Sequence, residues 1–167
     1  CSYCTYPSIA GGNLRRRTPQ EVADEIEHVL ASVGPRTFEF VDSTFNLPAS
    51  HAMAICEEII RRNLKVNLTA MGVNPLNTSK ELFALMKRAG FNSMMITPEA
   101  ANDSMLRNLH KGFSMQHVRR TAQLARESGI RSTWFFMLGG PGETRDTVEQ
   151  TIAFAERELS GGKFLSI

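Results

Sequence analysis

Long apolar runs are missing from this chain: nothing in its 167 residues approaches the ~20 consecutive apolar positions a membrane span needs, and no basic-then-apolar leader opens it. The expectation is a cytoplasmic protein. An excess of one charge is missing too. Nineteen Lys and Arg stand against 17 Asp and Glu, a net of +2, and apart from the run Arg15-Arg16-Arg17 the basic residues are scattered, so bulk charge carries no signal for nucleic acid. Three cysteines are few and odd in number, which argues against a disulfide framework and leaves a metal or redox role to weigh. Low-complexity stretches and linkers are absent, so one domain is expected. The 42% hydrophobic and 22% charged content suits an α/β protein with one sizeable core. The chain opens on Cys1 and closes on an apolar run at 163–167 that reads as a strand beginning, so both ends look cut.

What is present alternates. Thr18-Pro19-Gln20-Glu21 is a capping box with Pro at the first helical position, and Val22, Ile26, Val29 and Leu30 continue it as one apolar stripe up to Gly34. Strand signals at 37–41, 66–71, 92–97 and 131–138 are each followed by helical patterns, at 50–62, 79–89, 103–109 with 114–128, and after Thr144. A fifth strand begins at 163. This repeat fits a parallel β/α barrel or a doubly wound sheet, and periodicity alone does not choose between them.

Cys1-Ser2-Tyr3-Cys4 is a C-x-x-C, a spacing that lets two thiolates reach one centre; zinc, a redox dithiol and an iron–sulfur site all use it. Three polar or Gly-rich segments, Asp42-Ser43-Thr44, Thr97-Pro98-Glu99 and Gly139-Gly140-Pro141-Gly142-Glu143, fall at the C-terminal ends of predicted strands. In a parallel architecture those ends share one rim, where ligands bind, beside the cysteine loop.

On these residues the chain resembles the radical SAM superfamily, whose signature is C-x-x-x-C-x-aromatic-C. Cys1, Tyr3 and Cys4 match its last two cysteines and the aromatic; the first cysteine is expected four residues before Cys1. The resemblance implies a partial parallel (β/α)6 TIM-like barrel, truncated at both ends, with 1–167 as one core lacking strand one and the end of the barrel. It also implies a [4Fe-4S] cluster held by Cys1, Cys4 and the upstream cysteine. The iron left open would chelate S-adenosylmethionine, and reductive cleavage would give a 5′-deoxyadenosyl radical acting on an unidentified substrate. An electron donor such as flavodoxin or ferredoxin is implied as partner.

The family's cofactor contacts carry over position by position. Tyr3 is the signature aromatic, and Asp42, Ser43 and Thr44 stand where the family meets the methionyl amino group. Glu99, in Ile96-Thr97-Pro98-Glu99, stands where it binds the ribose hydroxyls. Lys111 stands near the methionyl carboxylate, and Gly139, Gly140 and Glu143 stand in the loop supporting the adenine. There the chain departs from the fuller pattern, with Phe136 in place of Gly. The subgroup resembled is often fused to a cobalamin-binding domain, expected outside these residues, which implies cobalamin-dependent methyl transfer or a rearrangement.

Plainer readings stand beside these. Asp42 also reads as a loop cap, Glu99 as a solvated acid at a helix start, Lys111 as an ordinary helix-end cation and the glycines as a tight turn. Cys56 lies on an apolar helical face and reads as core, the four histidines show no ligand spacing, and Trp134 and Phe136 fit either the barrel interior or a helix contact. A zinc module would need two further ligands, and no second C-x-x-C exists. A phosphate-binding α/β-barrel enzyme using the glycine turn is the other alternative, although its pattern matches neither the P-loop nor the dinucleotide fingerprint.

Overall fold

Capping chemistry sets where the helices start. The computed structural model describes residues 2–159 and 164–166, and Cys1 therefore lies outside the described residues. A five-residue helix, α1 (Tyr6–Ala10), follows the cysteine loop with Pro7 in its first turn; the apolar periodicity is too short there to announce it. At the head of α2 (Pro19–Val33), the Glu21 N–H donates to Thr18 Oγ1 at 3.2 Å and the Thr18 N–H donates to the Glu21 carboxylate at 2.7 Å. The reciprocal box satisfies two N–H groups that the helix cannot pair internally.

The chain then runs β1 (Thr37–Phe40), α3 (Ala49–Arg61), β2 (Asn67–Val73), α4 (Lys80–Ala89), β3 (Phe91–Glu99), α5 (Asp103–Asn108), α6 (Met115–Ser128), β4 (Arg131–Phe136), α7 (Arg145–Glu158) and β5 (Phe164–Ser166). All pairings are parallel, and the sheet order is β1-β2-β3-β4-β5. Because right-handed crossovers that always advance in one direction place every helix on the same face, this order selects the barrel wall. A doubly wound sheet would reverse direction partway.

That one-sided covering is visible strand by strand. Leu68, Ala70 and Val73 of β2, Met94 and Ile96 of β3 and Trp134 and Phe136 of β4 are buried, packed with Ile55, Ile59, Leu82, Phe83 and Val118 of the helices. Each of these side chains larger than Ala70 contributes about 1.5–3 kcal/mol by leaving water. Trp134 and Phe136 meet Phe154 of α7 edge-on, with ring centres 6.4 and 6.2 Å away, so they face the helices and not the barrel interior. Cys56 is buried in the same layer, and burial pushes its thiol up to about 12. The alternate residues Thr69, Ser93, Met95, Thr133 and Phe135 are only half-buried and line the opposite, inner face, where Thr69 and Ser93 share a 2.8 Å hydroxyl contact.

The strand ends differ from the sequence expectation by one or two residues: β1 stops at Phe40, one short of 41, and β2 runs to Val73, two past 71. β3 continues two residues past 97, because the Glu99 carbonyl accepts from the Met137 N–H at 2.8 Å and extends the ladder to that point. β4 stops two residues before 138, since Met137 and Leu138 leave the sheet to enter the glycine turn.

Candidate active site

The C-terminal end of α5 is the bracket on which the other parts hang. Helix ends leave carbonyls without intrahelical partners. Two of these, Leu109 O and Asn108 O, accept from the Ser2 N–H at 3.1 Å and the Ser2 hydroxyl at 3.4 Å, which fastens the cysteine loop to the helix. The Asn108 side chain donates to Pro141 O at 3.1 Å, fastening the glycine turn to the same end. A Cβ on Gly142, whose φ is +78°, would come within 2.6 Å of the Asn108 amide nitrogen. Loops far apart in sequence are thereby tied to one helix terminus.

Just beyond α5, His110 takes a left-handed conformation at φ 51° and turns Lys111 back toward the sheet. The Lys111 ammonium donates to Tyr3 Oη at 3.1 Å and lies 3.6 Å from Glu99 Oε1. It also sits 5.6 Å from the centre of the Tyr3 ring and 5.7 Å from that of Phe113. Its side chain is only 7% exposed. Burial lowers the Lys111 pKa, and the Glu99 carboxylate works against that shift. The Tyr3 hydroxyl is pushed up, first by burial and then by the charge of Glu99 and a hydrogen bond to it, so it stays protonated. Glu99 is held at φ +70°, a conformation that non-glycine residues seldom adopt. The result is a partly buried carboxylate, ammonium and phenol in mutual contact at a strand end. Such a set can accept from hydroxyl groups and donate to a carboxylate.

Glu143 points back into its own turn. One carboxylate oxygen accepts from the N–H groups of Gly139 and Gly140, the second at 3.3 Å. The other oxygen is buried with no partner among the described residues, so it is placed to receive a donor from a bound group.

Asp42, Ser43 and Thr44 sit elsewhere on the rim. Among the described residues no hydrogen bond or ion pair links them to Tyr3, Glu99 or Lys111. They line a cleft of about 480 Å³ together with Arg15, Arg16, Arg17, Phe40 and Ile55, and Arg17 pairs with Glu25 there. Gly72 positions them: at φ +66°, a Cβ there would lie 2.5 Å from Ser43 O, and the Gly72 carbonyl accepts from the Phe45 N–H at 3.2 Å. Sequence reasoning passed over Gly72, Ser2, Asn108 and Phe113. The signal for Gly72 was a glycine directly after an apolar strand run; for Ser2 and Asn108 there was none, since their roles depend on a contact across more than a hundred residues of chain.

Cys4 is an exposed free thiol, suitable as a soft metal donor, and no three His, Cys, Asp or Glu side chains among the described residues gather as a metal site. The donor chemistry fits a thiolate-held cluster completed by Cys1 and a further cysteine. The orphaned Glu143 oxygen and the Glu99–Lys111 pair fit a zwitterionic, hydroxyl-bearing cofactor beside it.

The chain is 29% identical to an uncharacterized methyltransferase of Pyrococcus horikoshii, over 94% of this chain and 34% of that protein. It is 28% identical to the anaerobic magnesium-protoporphyrin IX monomethyl ester cyclase of Rubrivivax gelatinosus, over 93% of this chain and 28% of that one. It thus spans about a third of the length of these curated relatives. The radical S-adenosylmethionine methyltransferase TsrM from Kitasatospora setae, solved with cobalamin and a [4Fe-4S] cluster bound, superposes with a TM-score of 0.85 at 25% identity, covering 95% of this chain and 30% of that one. The sequence pattern of the radical SAM superfamily matches residues 1–155, and the chain belongs to that superfamily.

Proposed function

We propose that this chain is the core of a radical SAM enzyme in which Cys4, Cys1 and a cysteine four residues upstream hold a [4Fe-4S] cluster beside bound S-adenosylmethionine. A cluster bound there would supply the one electron for reductive cleavage of the sulfonium C5′–S bond to methionine and a 5′-deoxyadenosyl radical, which would take a hydrogen atom from substrate. The observation that carries this reading is the contact chain Tyr3–Lys111–Glu99, which joins the cysteine loop to a strand end through groups matched to a ribose and an amino-acid carboxylate.

In this reading Glu99 accepts from the ribose hydroxyls and Lys111 pairs with the methionyl carboxylate, both already charged and partly desolvated, where such bonds are strongest. Tyr3 remains a neutral phenol against the cofactor. Asp42, Ser43 and Thr44 receive the methionyl amino group from the end of β1, two strands along the rim from Glu99. Glu143 holds the Gly139-Gly140 backbone in the shape that supports the adenine, and its free oxygen takes a donor from the bound cofactor.

The relatives' names favour methyl transfer as the overall outcome, with cobalamin supplied by a part of the protein outside these 167 residues, in a reducing cytoplasm. A cyclisation is the second reading, favoured by the likeness to the Rubrivivax enzyme. The full-length protein, reconstituted anaerobically with iron and sulfide, is expected to bind about four irons per chain and to release 5′-deoxyadenosine when reduced. Absence of a four-iron cluster, or an intact cofactor under reductant, refutes the proposal. Methylated product that depends on added cobalamin would select the first outcome over the second.

A further inference from the structure

The reaction proposed above consumes one electron for each cofactor cleaved, and that electron reaches the cysteine loop from outside. Residues 104–126 contain five Lys and Arg, two His and no Asp or Glu, a local imbalance invisible in the near-neutral whole. The fold gathers part of it. A shallow hollow of about 390 Å³ lies at the junction of α5 and α6, and every titratable side chain lining it is basic: Arg107, His110, Lys111 and His117. Arg119 and Arg120 are exposed on the adjoining turn of α6. Among the described residues Arg107, Arg119 and Arg120 make no ion pair, and the acid bordering the patch, Asp103, already accepts from the Met115 N–H at 2.8 Å.

Lys111 connects the hollow to the cysteine loop. It lines the hollow, and its ammonium reaches Tyr3 and Glu99, while Ser2 bonds the carbonyls of Asn108 and Leu109 next to the lining residues Arg107 and His110.

We propose that Arg107, His110 and the exposed face of α6 with Arg120 form the docking surface for an acidic, one-electron carrier protein that reduces the cluster. This rests on the enzyme reading above. The step balances simply: the carrier is oxidised by one electron, the cluster site is reduced by one, and no bond or proton changes at the surface. Unpaired, solvated cations on the surface steer an acidic partner over distance and fix its register, raising association rates by about 10–10³-fold at low salt. Single-stranded RNA fits the patch less well, because such binding relies on exposed aromatic platforms and the one aromatic here, Phe113, is buried.

The test uses full-length, reconstituted enzyme driven by two reductants, reduced flavodoxin and dithionite, a small dianion that needs no docking. The double substitution Arg107→Glu with Arg120→Glu is expected to slow flavodoxin-driven 5′-deoxyadenosine release by about tenfold or more at low salt and to flatten its salt dependence. The dithionite-driven rate should stay within about twofold. The milder pair Arg107→Gln with Arg120→Gln should show the same selective loss to a smaller degree. Unchanged flavodoxin-driven rates, or equal losses under both reductants in both pairs, overturn the proposal. So does loss of binding to a single-stranded RNA oligonucleotide with flavodoxin-driven rates intact. Failure of the unsubstituted enzyme under dithionite would instead remove the enzyme reading beneath it.

Discussion

Glu99 combines the two constraints that define this site, a left-handed backbone and a charge engaged by Lys111. Holding a non-glycine residue there costs of order 1–3 kcal/mol, and sites keep such strain where the geometry serves a ligand. Glu99→Gln preserves shape and removes the charge. It is expected to weaken S-adenosylmethionine binding to the reconstituted enzyme by about tenfold, close to 1.4 kcal/mol, with an unchanged near-ultraviolet circular dichroism spectrum; equilibrium titration reads the affinity. Gly72 is the complementary case, needed for space and not for charge. Gly72→Ala drives a Cβ against the Ser43 carbonyl at a positive φ and is expected to lower stability by about 1–3 kcal/mol in urea unfolding. A change below a few tenths of a kcal/mol would mean that the 42–44 loop moves aside freely.

An ion cluster centred on Arg62 bridges α2 and α3, and Glu58 is its buried carboxylate. Arg62, just past α3, donates to Glu58 at 2.7 Å, to Asp24 at 2.6 Å and to Glu27 at 2.9 Å, and Arg61 donates to Glu58 at 2.6 Å. The hydrogen bonds from Arg61 and Arg62 hold the Glu58 carboxyl down at about 2, against an ordinary 4.5. A carboxyl depressed in the folded state stabilises fully above its unfolded pKa, and that contribution disappears as pH falls toward the folded value. Stability should therefore drop between about pH 4.5 and 2, and Glu58→Gln should flatten that part of the profile in urea midpoints measured across the range. A wild-type profile as flat as the variant's would show the cluster to be solvent-screened. Among the elements themselves, the capping box at Thr18 and the stop at Gly90 were legible because they act within four residues. The helix α1 was not, since one turn is too short for a periodic signal.

The molecule as a whole separates its core from its chemistry. The buried layer lies between the sheet and the helices, while Cys4, Tyr3, Lys111 and Glu99 gather at one end of the strands. Because Cys4 is exposed and outside the core, Cys4→Ser in the full-length protein is expected to abolish cluster incorporation, read as the loss of charge-transfer absorbance and bound iron. The far-ultraviolet circular dichroism and unfolding midpoint should stay within error of the parent. Loss of folding would place Cys4 in a structural role instead. The order of β/α units, the C-x-x-C and the acidic or glycine-rich ends of the strands were legible from local pattern alone, because periodicity, capping and short motifs are properties of neighbouring residues. The barrel-type winding, which periodicity left open, was implied by the family resemblance and agrees with the sheet order, whereas the bracket at the end of α5 came only with the folded chain. That bracket joins segments 33 and 106 residues apart, and which of these meet is settled by how the crossovers pack every helix onto one face of the sheet.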